Sequence, residues 1–84
     1  MKVEYKASVS TGAGWREVYM IANVERISEK RVKVLNVISI DDEPVSKNMS
    51  RTGAKRQQFN GQYFADQEIG KVKNVSSLFK VIEG

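Results

Sequence analysis

A run of basic residues without any acidic neighbour occupies the middle of the chain. Its cations are Lys47, Arg51, Lys55 and Arg56, and no Asp or Glu lies between Pro44 and Ala65. Outside these four residues the chain holds ten basic and ten acidic residues, so the segment carries the whole net charge of +4. Lys and Arg side chains bind phosphates and displace the counterions that surround a polynucleotide. The segment therefore has the chemistry of a phosphate-binding surface.

Aromatic and amide side chains follow the cations within the same segment. Aromatic rings stack on unpaired bases, and rings combined with cations and amides are typical of surfaces that bind RNA or single-stranded DNA. We therefore predict a small basic nucleic-acid-binding module. The predicted contact residues are Lys47, Arg51, Lys55, Arg56, Phe59, Tyr63 and Phe64. The competing interpretation is a solvated basic loop followed by core aromatics, because a small domain needs its rings inside.

The single tryptophan, Trp15, is followed by Arg16 and lies directly after a glycine-containing turn at 11–14. Exposed together, Trp15 and Arg16 would form an anchor for a protein partner, since these residue types dominate interface hot spots. A buried Trp15 that closes one end of the core is the favoured interpretation, because a domain of this size has little other bulk to pack.

The second functional hypothesis is a protein-interaction module, such as a small inhibitor, adaptor or assembly subunit. Several phage or mobile-element accessory proteins are equally small, lack catalytic motifs and bind one host macromolecule. An edge strand at 2–10 or at 78–82 could add to the sheet of a partner. The basic segment would then steer the protein towards an acidic protein surface.

Catalytic and cofactor chemistry has little support in this sequence. The chain has no His and no Cys, so it lacks the commonest general base and the commonest transition-metal ligands. The three adjacent acids at 41–43 point in different directions and suit a solvated turn better than a magnesium site. The two glycines at 11–14 lack the spacing of a nucleotide-binding loop. We expect no enzymatic activity, no metal site and no cofactor.

Apolar alternation predicts a β fold for the 84 residues, which fit one domain spanning 1–84. Two segments alternate with the period of a half-buried strand, at 2–10 and 15–24. A third, at 32–40, is dense in β-branched residues, and its phase shift between Val34 and Leu35 predicts a bulge or a strand covered on both faces of a small barrel. We predict an all-β domain, a small antiparallel barrel or strongly bent sheet of five to six strands, SH3-like or OB-like.

The second half of the chain allows two interpretations at each of two places. Asn60-Gly61 favours a type I′ hairpin over a helix across 54–67, in which Gly61 would cost about 1 kcal/mol. Residues 45–53 are polar and are interpreted as a loop. At the C-terminus one or two closing strands are favoured over a short helix capped by Asn74. A helix at either place would make the domain a β-rich α+β protein.

Neither a targeting signal nor a membrane segment is visible in the sequence. Residues 1–6 alternate charges where a signal peptide needs an apolar core. The longest apolar-rich run, at 34–40, is far shorter than the roughly 20 residues that span a bilayer. We expect a cytoplasmic protein that does not associate with membranes, and the sequence makes no prediction about its oligomeric state.

Overall fold

The computed structural model describes residues 1–12, 14–51 and 57–84, without the side chains of Arg51 and Gln57. Within these residues lie eight strands, one α-helix and one 3-10 turn. In chain order they are β1 (Lys2–Thr11), β2 (Gly14–Arg26), β3 (Arg31–Ile40), β4 (Glu43–Pro44), β5 (Met49–Arg51), β6 (Gln57–Phe59), α1 (Gly61–Glu68), β7 (Val72–Asn74), the 3-10 turn Val75–Ser77 and β8 (Lys80–Glu83).

Six of the strands form one antiparallel sheet with the order β4-β3-β2-β1-β8, in which β7 pairs with the far end of β3. The long strands β1, β2 and β3 form a meander through tight connections, as the sequence predicts. The sheet curls into a half-barrel. The predicted small, strongly bent antiparallel sheet is therefore confirmed, in its open form rather than as a closed barrel.

The concave side of the sheet holds the core. On β1 and β2 the buried residues alternate, and the register places Val3 opposite Ala22 and Tyr5 opposite Met20. The buried side chains of the three long strands are Val3, Tyr5, Val9, Val18, Met20, Ala22, Val24, Val32, Val34 and Ile40. The alternation in the sequence therefore identifies the core face of β1 and β2.

Two bulges bend β3. Its pairing with β2 shifts at two places, because neither Leu35 nor Ile38 has a partner residue on β2. The predicted bulge at the Val34–Leu35 phase shift is confirmed, and the second bulge was not predicted. Because each bulge increases the local twist of a strand, the pair contributes to the curl of the sheet.

A two-residue turn at Asp41 and Asp42 joins β3 to β4. Both residues have positive φ values, 51° and 67°, as a type I′ turn requires, and Ile40 pairs with Glu43 across it. The Asp41 carboxylate accepts a hydrogen bond from the Tyr19 backbone N–H at 2.8 Å. The predicted turn is confirmed, but the sequence did not reveal that it forms a hairpin or that Asp41 tethers it to β2.

Residues 45–73, which we call the cover segment, contribute a second layer on the concave side through their described elements β5, β6 and α1. Within it Met49 pairs with Phe59 in the β5–β6 ladder, and both side chains are buried in the core. The helix α1 contributes Ala65 to the buried surface. The loop predicted at 45–53 is thus wrong at Met49–Arg51, which forms β5, because the side chain of Met49 is needed to cover the core.

The hairpin predicted at Asn60-Gly61 is wrong, since α1 begins there. Asn60 is the N-cap of α1, with φ −85°, and its side-chain oxygen accepts a hydrogen bond from the Tyr63 N–H at 2.9 Å. Gly61 is buried, and a Cβ at this position would lie 2.8 Å from the Ser46 carbonyl oxygen. Asn favours helix caps as well as turns, and here the glycine supplies space rather than a positive φ. The short helix of the α+β alternative therefore exists, at Gly61–Glu68.

The C-terminal part carries the two closing strands that were favoured, β7 and β8. Asn74 precedes the 3-10 turn, and its side chain makes no capping hydrogen bond there. Of the two edge strands proposed for partner binding, β8 lies at an edge of the sheet, whereas β1 lies between β2 and β8. The proposal of β1 as an exposed edge is therefore wrong for Lys2–Glu4, the residues that pair with β8, and the observed pairing does not contradict it for 5–10.

Candidate nucleic-acid interface

The structure separates the predicted contact residues by exposure. Lys47 is exposed in the loop before β5, and the side chain of Tyr63 on α1 is 54% exposed. Phe64 is half-buried against the core, and Phe59 is only 6% exposed. Lys55, Arg56 and the Arg51 side chain lie outside the described residues. Of the predicted contact residues whose side chains are described, Lys47 and Tyr63 thus face solvent.

The prediction that Phe59 stacks on a base is wrong, because its side chain has a structural role. Its ring belongs to the core, because the β5–β6 ladder places it against the concave side of the sheet. The rings of Phe59 and Phe64 lie 6.3 Å apart, and those of Phe64 and Tyr63 lie 5.3 Å apart with an edge-to-face geometry. This chain of rings leads from the core to the surface and holds Tyr63 at its outer end.

The helix α1 turns Tyr63 outwards because its buried positions lie on the other face. Gly61, Ala65 and Glu68 are buried at a spacing of four and then three residues, which is one face of a helix. Tyr63 and Gln67 are exposed one turn apart. The orientation of the exposed ring is therefore fixed by packing and by the Asn60 cap.

A buried polar cluster joins α1 to the sheet. The Tyr5 hydroxyl donates to Glu68 Oε1 at 2.9 Å, and the Nζ atoms of Lys71 and Lys73 lie 2.8 and 3.1 Å from the two oxygens of this carboxylate. The Lys73 Nζ also lies 4.7 Å from the centroid of the Tyr5 ring. The charge of Glu68 is thus neutralised by two lysines of its own segment.

Burial and hydrogen bonding act in opposite directions on the Glu68 carboxyl. Burial raises its pKa, but the hydrogen bonds from Lys71, Tyr5 and Lys73 outweigh this effect and hold the pKa below its usual value. Burial, together with the neighbouring Glu68 carboxylate, raises the pKa of Tyr5. Glu68 is therefore ionised and Tyr5 is neutral near neutral pH.

The net charge belongs to one segment of the chain. The cover segment contains six basic residues and two acidic ones, whereas the rest of the chain contains eight of each. The six cations are Lys47, Arg51, Lys55, Arg56, Lys71 and Lys73. On the sheet, charges are paired across β1 and β8, with Lys2–Glu83 at 3.3 Å and Lys80–Glu4 at 3.7 Å. The cover segment is therefore the part of the chain with the charge to attract a polyanion.

Pairing of β3 with β7 places cations on both faces of this edge of the sheet, which sequence analysis missed. Val32 is buried and lies opposite Lys73, so Lys73 is on the core face, whereas Arg31 and Lys33 point to the opposite face. Beside them a groove of about 610 Å³ is lined by Glu29, Lys30, Asn74, Val75 and Ser76. The cations at 26–33 are visible in the sequence, but their proximity to β7 depends on a pairing between residues far apart in the chain.

Trp15 lies on the convex, outer face of the sheet, and the favoured core interpretation is wrong. Its side chain is 74% exposed, and it pairs with Ser10 near the end of the β1–β2 hairpin. The neighbouring Arg16 is half-buried and lies opposite Val9, a core residue. Successive strand residues point to opposite faces, so Trp15 and Arg16 do not form one patch.

The part of the chain that the structure describes contains no group of His, Cys, Asp or Glu residues that could hold a metal ion. In the same part, no helix is long and apolar enough to cross a membrane. The chain matches no family model, and comparisons with curated proteins and with solved structures find no match.

Proposed function

We propose that the protein binds nucleic acid, RNA or single-stranded DNA, through the cover segment. The observation that supports this proposal is that the whole net charge of +4 belongs to this one segment of the chain. Glu68, which would weaken the local field, is held by Lys71 and Lys73. The field is therefore available to phosphates at the surface of the cover segment.

In this proposal the cations of the cover segment contact phosphates, and its exposed ring contacts a base. Lys47 and the exposed part of Lys71 pair with phosphates, together with Arg51, Lys55 and Arg56 of the same segment. Tyr63 stacks on an unpaired base, and its ring is supported from below by Phe64. In a duplex each base is stacked on its neighbours, so its face is not accessible to the Tyr63 ring. Stacking on Tyr63 therefore favours single-stranded ligands.

A binding experiment with labelled oligonucleotides tests this proposal. RNA, single-stranded DNA and duplex DNA are compared by fluorescence anisotropy for the wild type, Tyr63→Ala and Tyr63→Phe. Stacking of one base is worth about 1–3 kcal/mol, so we expect Tyr63→Ala to weaken single-strand binding by about fivefold or more. Tyr63→Phe keeps the ring and is expected to retain the affinity. Absence of binding to all three ligands contradicts the proposal.

A second candidate function is a protein-interaction module, such as an inhibitor, adaptor or assembly subunit, and the exposure of Trp15 favours it. An acidic protein surface would be attracted to the cover segment by the same charges as a nucleic acid. A partner that uses Trp15 instead would lose affinity in Trp15→Ala and keep it in Lys47→Ala. Nucleic acid bound to the cover segment is expected to show the opposite pattern. For either function, the cytoplasmic location remains a prediction from the sequence.

A further inference from the structure

The cap of α1 contains the dipeptide Asn60-Gly61, whose chemistry the proposed function does not use. Asn60 is the one asparagine of the chain that precedes a glycine. The backbone nitrogen that follows an asparagine can attack the side-chain carboxamide, and because the two groups belong to neighbouring residues the reaction needs no catalyst. Glycine has no Cβ to hinder this attack. Asn60 is exposed, so solvent water has access to it, whereas Gly61 is buried.

The reaction would convert Asn60 in two steps. In the first, the Gly61 nitrogen forms a bond with Asn60 Cγ, the bond from Cγ to the side-chain nitrogen breaks, and ammonia leaves with the proton of the Gly61 nitrogen. A five-membered succinimide ring remains. In the second step, one water molecule opens the ring at either of its two carbonyl groups. The products are aspartate and isoaspartate, and in isoaspartate the main chain runs through the former side chain.

The folded geometry of Asn60 opposes the first step. Its ψ is 95°, which directs the Gly61 nitrogen away from the Asn60 side chain, so the ring closes only after a large rotation about the Cα–C bond. The side-chain oxygen of Asn60 accepts a hydrogen bond from the Tyr63 N–H at 2.9 Å. Its carbonyl oxygen accepts one from the Phe64 N–H at 3.3 Å. These two bonds hold the carboxamide and the peptide group in place.

Packing around Gly61 opposes the same rotation. A Cβ built on Gly61 would lie 2.8 Å from the Ser46 carbonyl oxygen, and the Met49 side chain contacts the same position. The next residue, Gln62, donates its N–H to this Ser46 oxygen at 3.0 Å. The peptide between Asn60 and Gly61 can therefore rotate only when the start of α1 separates from the loop before β5.

We propose that Asn60 is a deamidation site that the fold protects, and that it reacts from an open form in which α1 has left Ser46 and Met49. The rate in the folded protein is then the rate of the open form multiplied by its population. The aspartate product keeps a capping oxygen, since Asp and Asn cap helices about equally well. The isoaspartate product adds one atom to the main chain before Gly61 and thereby displaces the cap from Tyr63. This inference does not rest on nucleic-acid binding.

Mass spectrometry of the proteolytic peptide that contains Asn60 tests the protection. The protein is incubated at mildly alkaline pH with and without denaturing urea, and the mass gain from replacement of the amide by a carboxyl group is followed over time. We expect the reaction to be about tenfold or more slower in the folded protein. Asn74 is also exposed but precedes the β-branched Val75, so it is the internal control and should react slowly in both conditions. Equal rates for Asn60 with and without urea overturn the proposal.

Two variants test whether separation of α1 controls the rate. Glu68→Gln removes the charge that joins α1 to Lys71 and Lys73, so we expect it to raise the rate at Asn60 severalfold in the folded protein and to leave the rate in urea unchanged. Glu17→Gln, at an exposed position of β2, is the matched control and should change neither rate. Circular dichroism verifies that both variants are folded. A rate that Glu68→Gln does not raise, or that both variants raise equally, overturns the proposal.

The stability of the two products tests the role of the cap. Asn60→Asp reproduces one product and is expected to unfold at nearly the same temperature as the wild type. The isoaspartate form, separated by chromatography from aged protein, is expected to unfold at a lower temperature. Asn60→Ser keeps a capping oxygen but cannot form the ring, so the mass of its peptide should stay constant. An isoaspartate form as stable as the wild type would contradict the proposed displacement of the cap.

Discussion

The Glu68 carboxylate joins three elements at a single point. It accepts hydrogen bonds from Tyr5 of β1, from Lys73 of β7 and from Lys71 beside the end of α1. A buried carboxylate is stable only when such partners replace its lost hydration. The cover segment is thus fastened to the sheet by a charged group, and its attachment should depend on pH.

The stability of the fold is expected to fall in acid through Glu68. The folded-state pKa of Glu68 lies below its ordinary value of 4.5, so its contribution is fully present above that value. The contribution is lost as the pH falls through the folded-state pKa. Urea unfolding at several pH values between neutral and strongly acidic conditions measures this loss.

The matched variant for this measurement is Glu68→Gln, which keeps the size of the side chain and removes its charge. At neutral pH we expect it to unfold with about 1–3 kcal/mol less stability, because two lysines lose their carboxylate. In acid the difference from the wild type should shrink. A difference that stays constant from neutral to acid would show that the carboxylate charge has no such role.

Individual residues differ in how far the sequence predicts their placement. Exposure of Lys47 follows from its polar surroundings. Burial of Phe59 depends on its pairing with Met49, and exposure of Trp15 depends on the β1–β2 hairpin. The period of a strand predicts which side chains share a face, but it does not reveal which faces a distant segment covers.

At the scale of elements, the long strands β1, β2 and β3 and the closing strands were predicted, whereas β4 and β5 were not. The alternation over β1 and β2 is a local signal that repeats over many residues. The strands β4 and β5 have two and three residues, too few for a repeating pattern, and exist through pairing with β3 and β6. The dipeptide Asn60-Gly61 is compatible with both a hairpin turn and a helix start, so the choice depends on packing against Met49 and Ser46.

Packing at the start of α1 is tested by Gly61→Ala. The added Cβ would lie 2.8 Å from the Ser46 carbonyl oxygen, so the start of α1 or the loop before β5 must move. We expect a loss of about 1–3 kcal/mol in the free energy of unfolding. Gly12→Ala, where a Cβ meets nothing within 4 Å, is the control and should be nearly neutral. Equal effects of the two substitutions would contradict the packing described for Gly61.

The β3–β4 turn gives different predictions for two adjacent residues. Asp42 has a φ of 67°, and a left-handed conformation costs a non-glycine residue about 1–2 kcal/mol. Asp42→Gly should therefore stabilise the protein by up to about 1 kcal/mol. Asp41→Gly relieves the same strain but removes the hydrogen bond to the Tyr19 N–H, so it should gain less or lose stability. Thermal unfolding compares the two, and a larger gain at Asp41 would contradict this account.

At the scale of the whole molecule, the excess charge and the exposed rings of the outer face belong to different parts of the chain. The cover segment carries the net charge, and the outer face of the sheet carries exposed rings among balanced charges. The sequence locates the basic segment but does not predict that Lys71 and Lys73 join it or that Glu68 is neutralised within it. These features depend on contacts between residues far apart in the chain, such as Tyr5 with Glu68.

The central claim, that the cover segment binds the phosphates of a nucleic acid, is tested most directly by the salt dependence of oligonucleotide affinity. The logarithm of the association constant should fall linearly with the logarithm of salt concentration, with a slope of about −0.7 for each phosphate contact to a single strand. Lys47→Ala should make the slope shallower by about one such contact. Lys6→Ala, on the outer face, should leave it unchanged. An affinity that does not depend on salt, or a slope that responds to Lys6 and not to Lys47, would contradict the account.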